Sequence, residues 1–505
     1  MRSRNALLGL TLLLAGCATR ALDQAPDRPD RPWTPATSTT GEIVPGPASA
    51  ASPARDYVLP TNQSIAIPTP PQLDPAHPYT LAELIDIAER TSPATRIAWN
   101  QARDAALAAG IAQSLFLPRI AISAIGAYRT DTGRSSTDDV GRSSGSSLGG
   151  TTTAISLDWL LFDFGKRQAT VDAARQLAIA SDIGFTAAHQ RLIHAVSVAF
   201  YVHAATEERV KAAVDGLANA RVILSASQDR LAHGQGTIVE VAQARQLVAQ
   251  AELKLVQANG QAQDSRIDLL VAIGISPLSR LAIADISGRP LPDEATDQLE
   301  RVIAESVGRR PDVLSAFAGE KARQAEVRAA QADFKPKLFL SATGSYTSSH
   351  LDLSAIPGSA EDGPTLNLSG HHVGATVLAG VRMPLFDGGT RSAVLAQARD
   401  HADSAAATYD QVRDQAVREI VTADNDLHTA LAAHKAAGAL LDAAQTSYDA
   451  ALGAYRHGVG SITEVATAQS QLVEARSAVS DAYSTALSAA ASLALATGAL
   501  GSAPS

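Results

Sequence analysis

The chain has one cysteine, two methionines and three tryptophans, and aromatics make up only 4% of its 505 residues. A lone cysteine excludes an intrachain disulfide and any thiolate metal cluster. Net charge of −9 and a pI near 5.7 leave no basic field to attract phosphate, so nucleic acid is not an expected partner. After the N-terminus no stretch reaches about 18 unbroken apolar residues, so no transmembrane helix is expected. The 12 histidines are scattered. There is no His-Glu-x-x-His, no Gly-x-Ser-x-Gly and no phosphate loop, hence no expected metal, cofactor or catalytic constellation. Asp163-Phe164-Gly165 spells a kinase motif, but its companion Gly-rich and His-Arg-Asp loops are missing.

Proline is absent from 119–276 and again from 385–503, while 14 of the 24 prolines lie at or before Pro93. Long proline-free stretches rich in alanine suit long helices packed at close range. The early prolines, mixed with Ser, Thr and Ala, make 17–78 an extended tether rather than a packed core. Residues 1–16 carry Arg2, Arg4 and an apolar stretch of about ten residues, too short to span a bilayer but right for a signal peptide. The stretch ends in Leu14-Ala15-Gly16-Cys17, which looks like a bacterial lipobox with Cys17 as the lipid attachment residue. Ala18 follows it.

What the chain does have is a duplication. Phe116-Leu117-Pro118 recurs as Phe334-Lys335-Pro336 at an offset of 218. Phe162-Asp163-Phe164-Gly165 recurs as Phe386-Asp387-Gly388-Gly389, and His233-Gly234-Gln235-Gly236-Thr237 as His457-Gly458-Val459-Gly460-Ser461, both at 224. The copies span 79–286 and 297–500, joined by a linker at 287–296 and followed by a tail at 501–505.

Each copy reads alike. A helix pair broken at Pro93 or Pro311 precedes a strand that starts at Pro118 or Pro336 (119–128 and 337–346). Ile120, Ile122 and Tyr128 share one face of the first such strand, and Leu338, Leu340 and Tyr346 share one face of the second. Polar loops are expected over 129–152 and 347–371. A second strand then returns, with Ile155, Leu157, Trp159 and Leu161 alternating with polar residues in one copy and Val373 to Val381 in the other. Strands of about ten residues with one apolar face suit a membrane barrel, or a soluble hairpin packed on helices. Trp159, Phe162 and Phe386 fit either an interfacial aromatic belt or core packing. An unbroken helical run follows over 166–232 and 390–456; about 67 residues extend to about 100 Å. Asp163 and Asp387 are expected to cap these helices, with Gly165, Gly388 and Gly389 making the bend. At the far end, Gly234, Gly236, Gly458 and Gly460 are expected to take positive φ, and Thr237-x-x-Glu240 and Ser461-x-x-Glu464 to form capping boxes.

The lipobox, duplicated strand–helix plan, Phe-Asp-x-Gly turns and paired tip motifs together resemble the TolC-like outer membrane factors, the lipoprotein branch especially. The resemblance covers about 79–500. It implies a mixed, mainly α fold in which a homotrimer closes one 12-stranded barrel in the outer membrane, continuous with a periplasmic α-helical coiled-coil barrel. The implied activity is that of a passive export duct for small molecules in a tripartite efflux system. It would be served by a periplasmic adaptor and an inner-membrane pump, and surrounded by outer-membrane lipid. The resemblance also implies that the tip turns dock the adaptor and that Glu240 and Glu464 stand at the pore aperture. Gly460 and Thr467 depart from relatives that carry an Arg and a second acid there. A protein-secretion duct, and a lipid-tethered periplasmic coiled-coil scaffold, are the other readings.

Overall fold

The computed structural model describes residues 22, 24–26, 29, 33–46, 57–59, 61–66, 73–134, 143–286, 289–291, 299–354 and 366–501. Cys17 and most of the linker fall outside them. The chain divides into Met1–Gln72 and Leu73–Ser505. Among the described residues of the first unit, a Thr37–Ile43 bridge closes a turn in which Gly41 takes φ +77°.

The second unit runs β1 (Pro78–Tyr79), α1 (Leu81–Thr91), α2 (Pro93–Ser114), β2 (Arg119–Arg134), β3 (Ser143–Phe162), α3 (Lys166–Ala232) and α4 (Ile238–Ile273). It continues with β4 (Ala282–Ile283), α5 (Leu299–Val307), α6 (Pro311–Ala332), β5 (Lys337–Ser354), β6 (Leu366–Arg382), α7 (Thr390–Arg456) and α8 (Ile462–Ala496). Both long helices, 67 residues each, have the predicted limits. Pro93 and Pro311 open α2 and α6 at the first helical position, where a missing N–H costs nothing.

The strands differ from expectation. They run 16, 20, 18 and 17 residues rather than about ten. The segments read as loops by their Ser, Thr and Gly content instead carry the ladder on to Arg134↔Ser143 and, in the second copy, to Leu353↔Leu366. Small polar residues satisfy a ladder as well as apolar ones once neighbouring strands supply the hydrogen bonds, so composition misplaces the boundary.

The order β2-β3-β5-β6 makes one antiparallel sheet, in which β3 and β5 join the two copies. Its register puts the predicted apolar residues on a single face: Ile120 opposite Leu157, Ile122 opposite Ile155, Leu157 opposite Ala342, Ala342 opposite Val377. Ser156, Thr343 and Thr376 form a row on the other face. Ile122 is 77% exposed and Val377 71%, so within one chain nothing covers the apolar face. Phe162 and Phe386 are 52% and 88% exposed and so do not pack in a core within the chain, whereas Trp159 is 37% exposed and partly covered.

In the helical layer α3 touches α2 and α4 as well as α6 and α8, and α7 packs against α6 and α8. The short helices stack end to end. Thr91 Oγ1 donates to the Ile273 carbonyl at 2.9 Å, so α4 ends where α2 begins. Arg309 and Arg310 donate to the Thr497 and Ala496 carbonyls, closing α8 against α6 in the same way. Guanidinium groups there offset the negative end of α8. Small residues let α3 and α8 approach closely: a Cβ on Gly216 would lie 2.8 Å from Val473, and Ala220 is fully buried. The main apolar cluster lies midway along α3, where Leu192, Val196 and Phe200 meet Leu84 of α1 and Leu269 of α4. The two-residue parallel pair β1–β4, not foreseen from sequence, lies beside it.

Candidate functional site

The two helical hairpins end in turns built on one plan. After α3, Gly234 takes φ +72°, and the amides of Gln235 and Gly236 donate to the Arg230 carbonyl at 2.8 and 3.1 Å. After α7, Gly458 takes φ +80°, and Val459 and Gly460 donate to the Ala454 carbonyl at 3.0 and 3.1 Å. Gly236 and Gly460 do not take positive φ, contrary to expectation. They are glycine because a Cβ would stand 3.1 Å from Leu231 N and 3.0 Å from Tyr455 N, against the last turn of the incoming helix. Conformational freedom and closeness of approach thus divide between the two glycines of each turn.

The tips diverge at their glutamates. Ser461 and Glu464 form the full capping box: Ser461 N–H donates to Glu464 Oε2 (2.9 Å) and Glu464 N–H to Ser461 Oγ (3.2 Å). Thr237 Oγ1 accepts from Glu240 N–H at 3.2 Å, but the Glu240 carboxylate does not complete the box. It turns to the second tip instead. Tyr455 Oη donates to Glu240 Oε2 at 3.1 Å, and Arg230 Nε lies 3.8 Å from the same oxygen. Arg230 also donates to the Tyr455 carbonyl (2.7 Å) and the Gln235 carbonyl (3.0 Å), and its guanidinium carbon lies 4.8 Å from the centroid of the Tyr455 ring. Tyr455 is buried, and that burial, followed by the Glu240 carboxylate, pushes its hydroxyl up to about 12. The second copy has Ala454 where the first has Arg230, and the first has Leu231 where the second has Tyr455. The cluster therefore exists once per chain and ties one hairpin tip to the other. No sequence motif marks Arg230 or Tyr455.

At the other end of the long helices, Pro118 and Pro336 immediately precede the strands that follow α2 and α6. The N-cap positions of α3 and α7 are Gly165 (φ +92°) and Gly389 (φ +89°), not the aspartates. Asp163 still caps, from two residues further out: its Oδ2 accepts from Arg167 N–H (3.0 Å) and Arg167 Nε (2.9 Å). Asp387 does the same for Arg391 at 3.2 and 2.7 Å, and this pairing holds its carboxyl below the usual range. Gly388 takes φ +66°, and its counterpart Phe164 takes φ +54° without being glycine. Arg167, buried with Asp163, also donates to the carbonyls of Leu115, Leu160 and Leu161, joining α2, β3 and α3. Trp159 Nε1 donates to the Phe116 carbonyl at 2.9 Å across the same junction. The Asp-x-x-x-Arg spacing repeats in both copies, and that repetition is a signal from which both arginines could have been found.

Comparison with known proteins agrees with this plan. The chain is 29% identical over 376 residues to Protein CyaE of Bordetella pertussis, covering 74% of each chain. It is 30% identical over 292 residues to the pyoverdine export outer membrane protein OpmQ of Pseudomonas aeruginosa, covering 57% of each. The solved outer membrane protein VceC of Vibrio cholerae matches its fold with a TM-score of 0.67 at 21% identity, over 83% of this chain and 96% of that one. The transmembrane channel protein CusC does so at 0.68 and 19%, over 83% and 91%. Residues 84–275 and 302–499 match the family described as outer membrane efflux protein, each segment covering most of one copy of the duplication. The chain belongs to the outer membrane efflux protein family, with the mainly α, TolC-like fold of its channels.

Proposed function

We propose that three copies of the chain form a passive export duct, driven by an inner-membrane pump that reaches it through a periplasmic adaptor. The observation that carries this reading is the sheet. It has four strands, one bare apolar face and two unpaired edges, β2 and β6. Lipid does not tolerate open strand edges, whereas a closed ring of twelve strands has none. The helical layer supports the same closure: Leu107, Ile111, Leu253 and Val256 are exposed on one edge (α2 and α4), and Val394 and Leu440 on the other (α7). Head-to-tail contact of unlike edges yields a ring. The helices then extend the duct by about 100 Å, and the tip turns around Gly234 and Gly458 are the adaptor-docking surface. A lipid on Cys17 adds a second anchor. Relatives named for pyoverdine export and for efflux support small molecules as the cargo.

In this duct the Arg230–Glu240–Tyr455 cluster is a latch that holds the tips together, and Glu464 is a cap facing water. In planar bilayers, Glu240→Gln and Tyr455→Phe should each raise the open fraction of single channels, whereas Glu464→Gln should change it little. Equal behaviour of all three variants would remove the latch from the account.

A further inference from the structure

We infer that the periplasmic end of the sheet carries an anion-selecting ring, built where the two copies of the duplication have diverged. The first strand of each copy opens with a cation directly after proline, Arg119 after Pro118 and Lys337 after Pro336. Register places Arg119 opposite Asp158, a complementary pair. The corresponding rung of the second copy places Lys337 opposite Arg382, two like charges on adjacent strands. Such a pair destabilises a sheet, and the first copy shows that an acid fits the position.

The next rung has diverged with it. Where the first copy pairs Ala121 with Ser156, the second pairs Phe339 with Gly380. A Cβ on Gly380 would lie 2.7 Å from the Phe339 ring, so the glycine makes room for the aromatic. The Arg382 guanidinium carbon lies 5.3 Å from the centroid of that ring. Among the described residues no carboxylate pairs with Arg382. Lys337 shares the Asp333 carboxylate with Lys166, each at 2.7 Å, so three charged groups leave one positive charge over. By parity Lys337, Phe339, Gly380 and Arg382 lie on the face of Ser156 and Thr376, opposite the apolar one. That face lines the lumen if the sheet closes into a barrel, so the inference rests on the duct reading. Repeated around three chains, uncompensated cations at one level of the lumen concentrate anions there and repel cations. The solutes favoured are small anions, including organic carboxylates and sulfonates.

The test is the reversal potential of single channels in a KCl gradient, for the wild type, Arg382→Asp and Arg382→Gln. Arg382→Asp recreates the complementary rung of the first copy. It should lower the chloride-to-potassium permeability ratio roughly threefold or more, with Arg382→Gln shifting it less in the same direction. Channels of unchanged conductance and unchanged ratio in both variants would overturn the anion ring while leaving the duct intact. Trimers that never conduct would overturn the duct reading, and the ring with it.

Discussion

At the residue scale, two arginines do most of the positioning. Arg167 is buried against Asp163 and three carbonyls from two elements. Arg167→Ala leaves a buried carboxylate unpaired and should cost about 3–5 kcal/mol. Thermal unfolding of the detergent-solubilised protein measures this, and a change within about 0.5 kcal/mol would mean that water replaces the guanidinium. Arg230 acts at the far end through Tyr455, where pH separates the roles. Burial, followed by the Glu240 carboxylate, pushes the Tyr455 hydroxyl up to about 12 in the folded chain from an ordinary value of 10.0. A raised value means that the folded state keeps the proton longer. The stability gained from the neutral hydroxyl is complete below the ordinary value and is lost as pH rises through about 12. The stability difference between wild type and Tyr455→Phe should therefore be constant at neutral pH and shrink across that alkaline window. A difference independent of pH would place the effect of the substitution in packing alone.

At the scale of elements, periodicity and repetition made much of the architecture legible. The limits of α3 and α7, the proline breaks and the shared apolar face of the strands follow from proline absence, alternation and the recurrence of short motifs. Strand ends were not legible, because Ser, Thr and Gly read as loop until a neighbouring strand accepts their hydrogen bonds. The tip contacts were only half legible. Equal motifs at Glu240 and Glu464 suggested equal caps, but the difference between them comes from Arg230 and Tyr455, which match only Ala454 and Leu231 in the other copy. The split between Gly234 and Gly236 likewise depends on the last turn of α3. These glycines give a test at this scale. Gly234→Val and Gly458→Val place a branched side chain at φ +72° and +80°, a strain of about 1–2 kcal/mol per site. Such variants should insert and fold as barrels yet accumulate a reporter dye in cells, because the tips lie about 100 Å of helix from the sheet. Normal dye export by both would exclude the tips as a docking surface.

At the scale of the whole molecule, the apolar sheet face, the open edges β2 and β6 and the unlike helical edges all support the ring of identical chains proposed above. A single chain leaves Ile122, Val373 and Val377 between 71% and 77% exposed, a state that neither water nor an unclosed sheet in lipid accommodates. In the proposed ring, the latch and the uncompensated cations of one chain become a circle of three, and its two tip turns a circle of six. The most direct measurement is the native mass of the protein extracted in mild detergent, read together with its circular dichroism. Closure into a ring predicts a species of three chains, stable without any partner, with the full strand content of the fold. A stable monomer with the same strand content would contradict it.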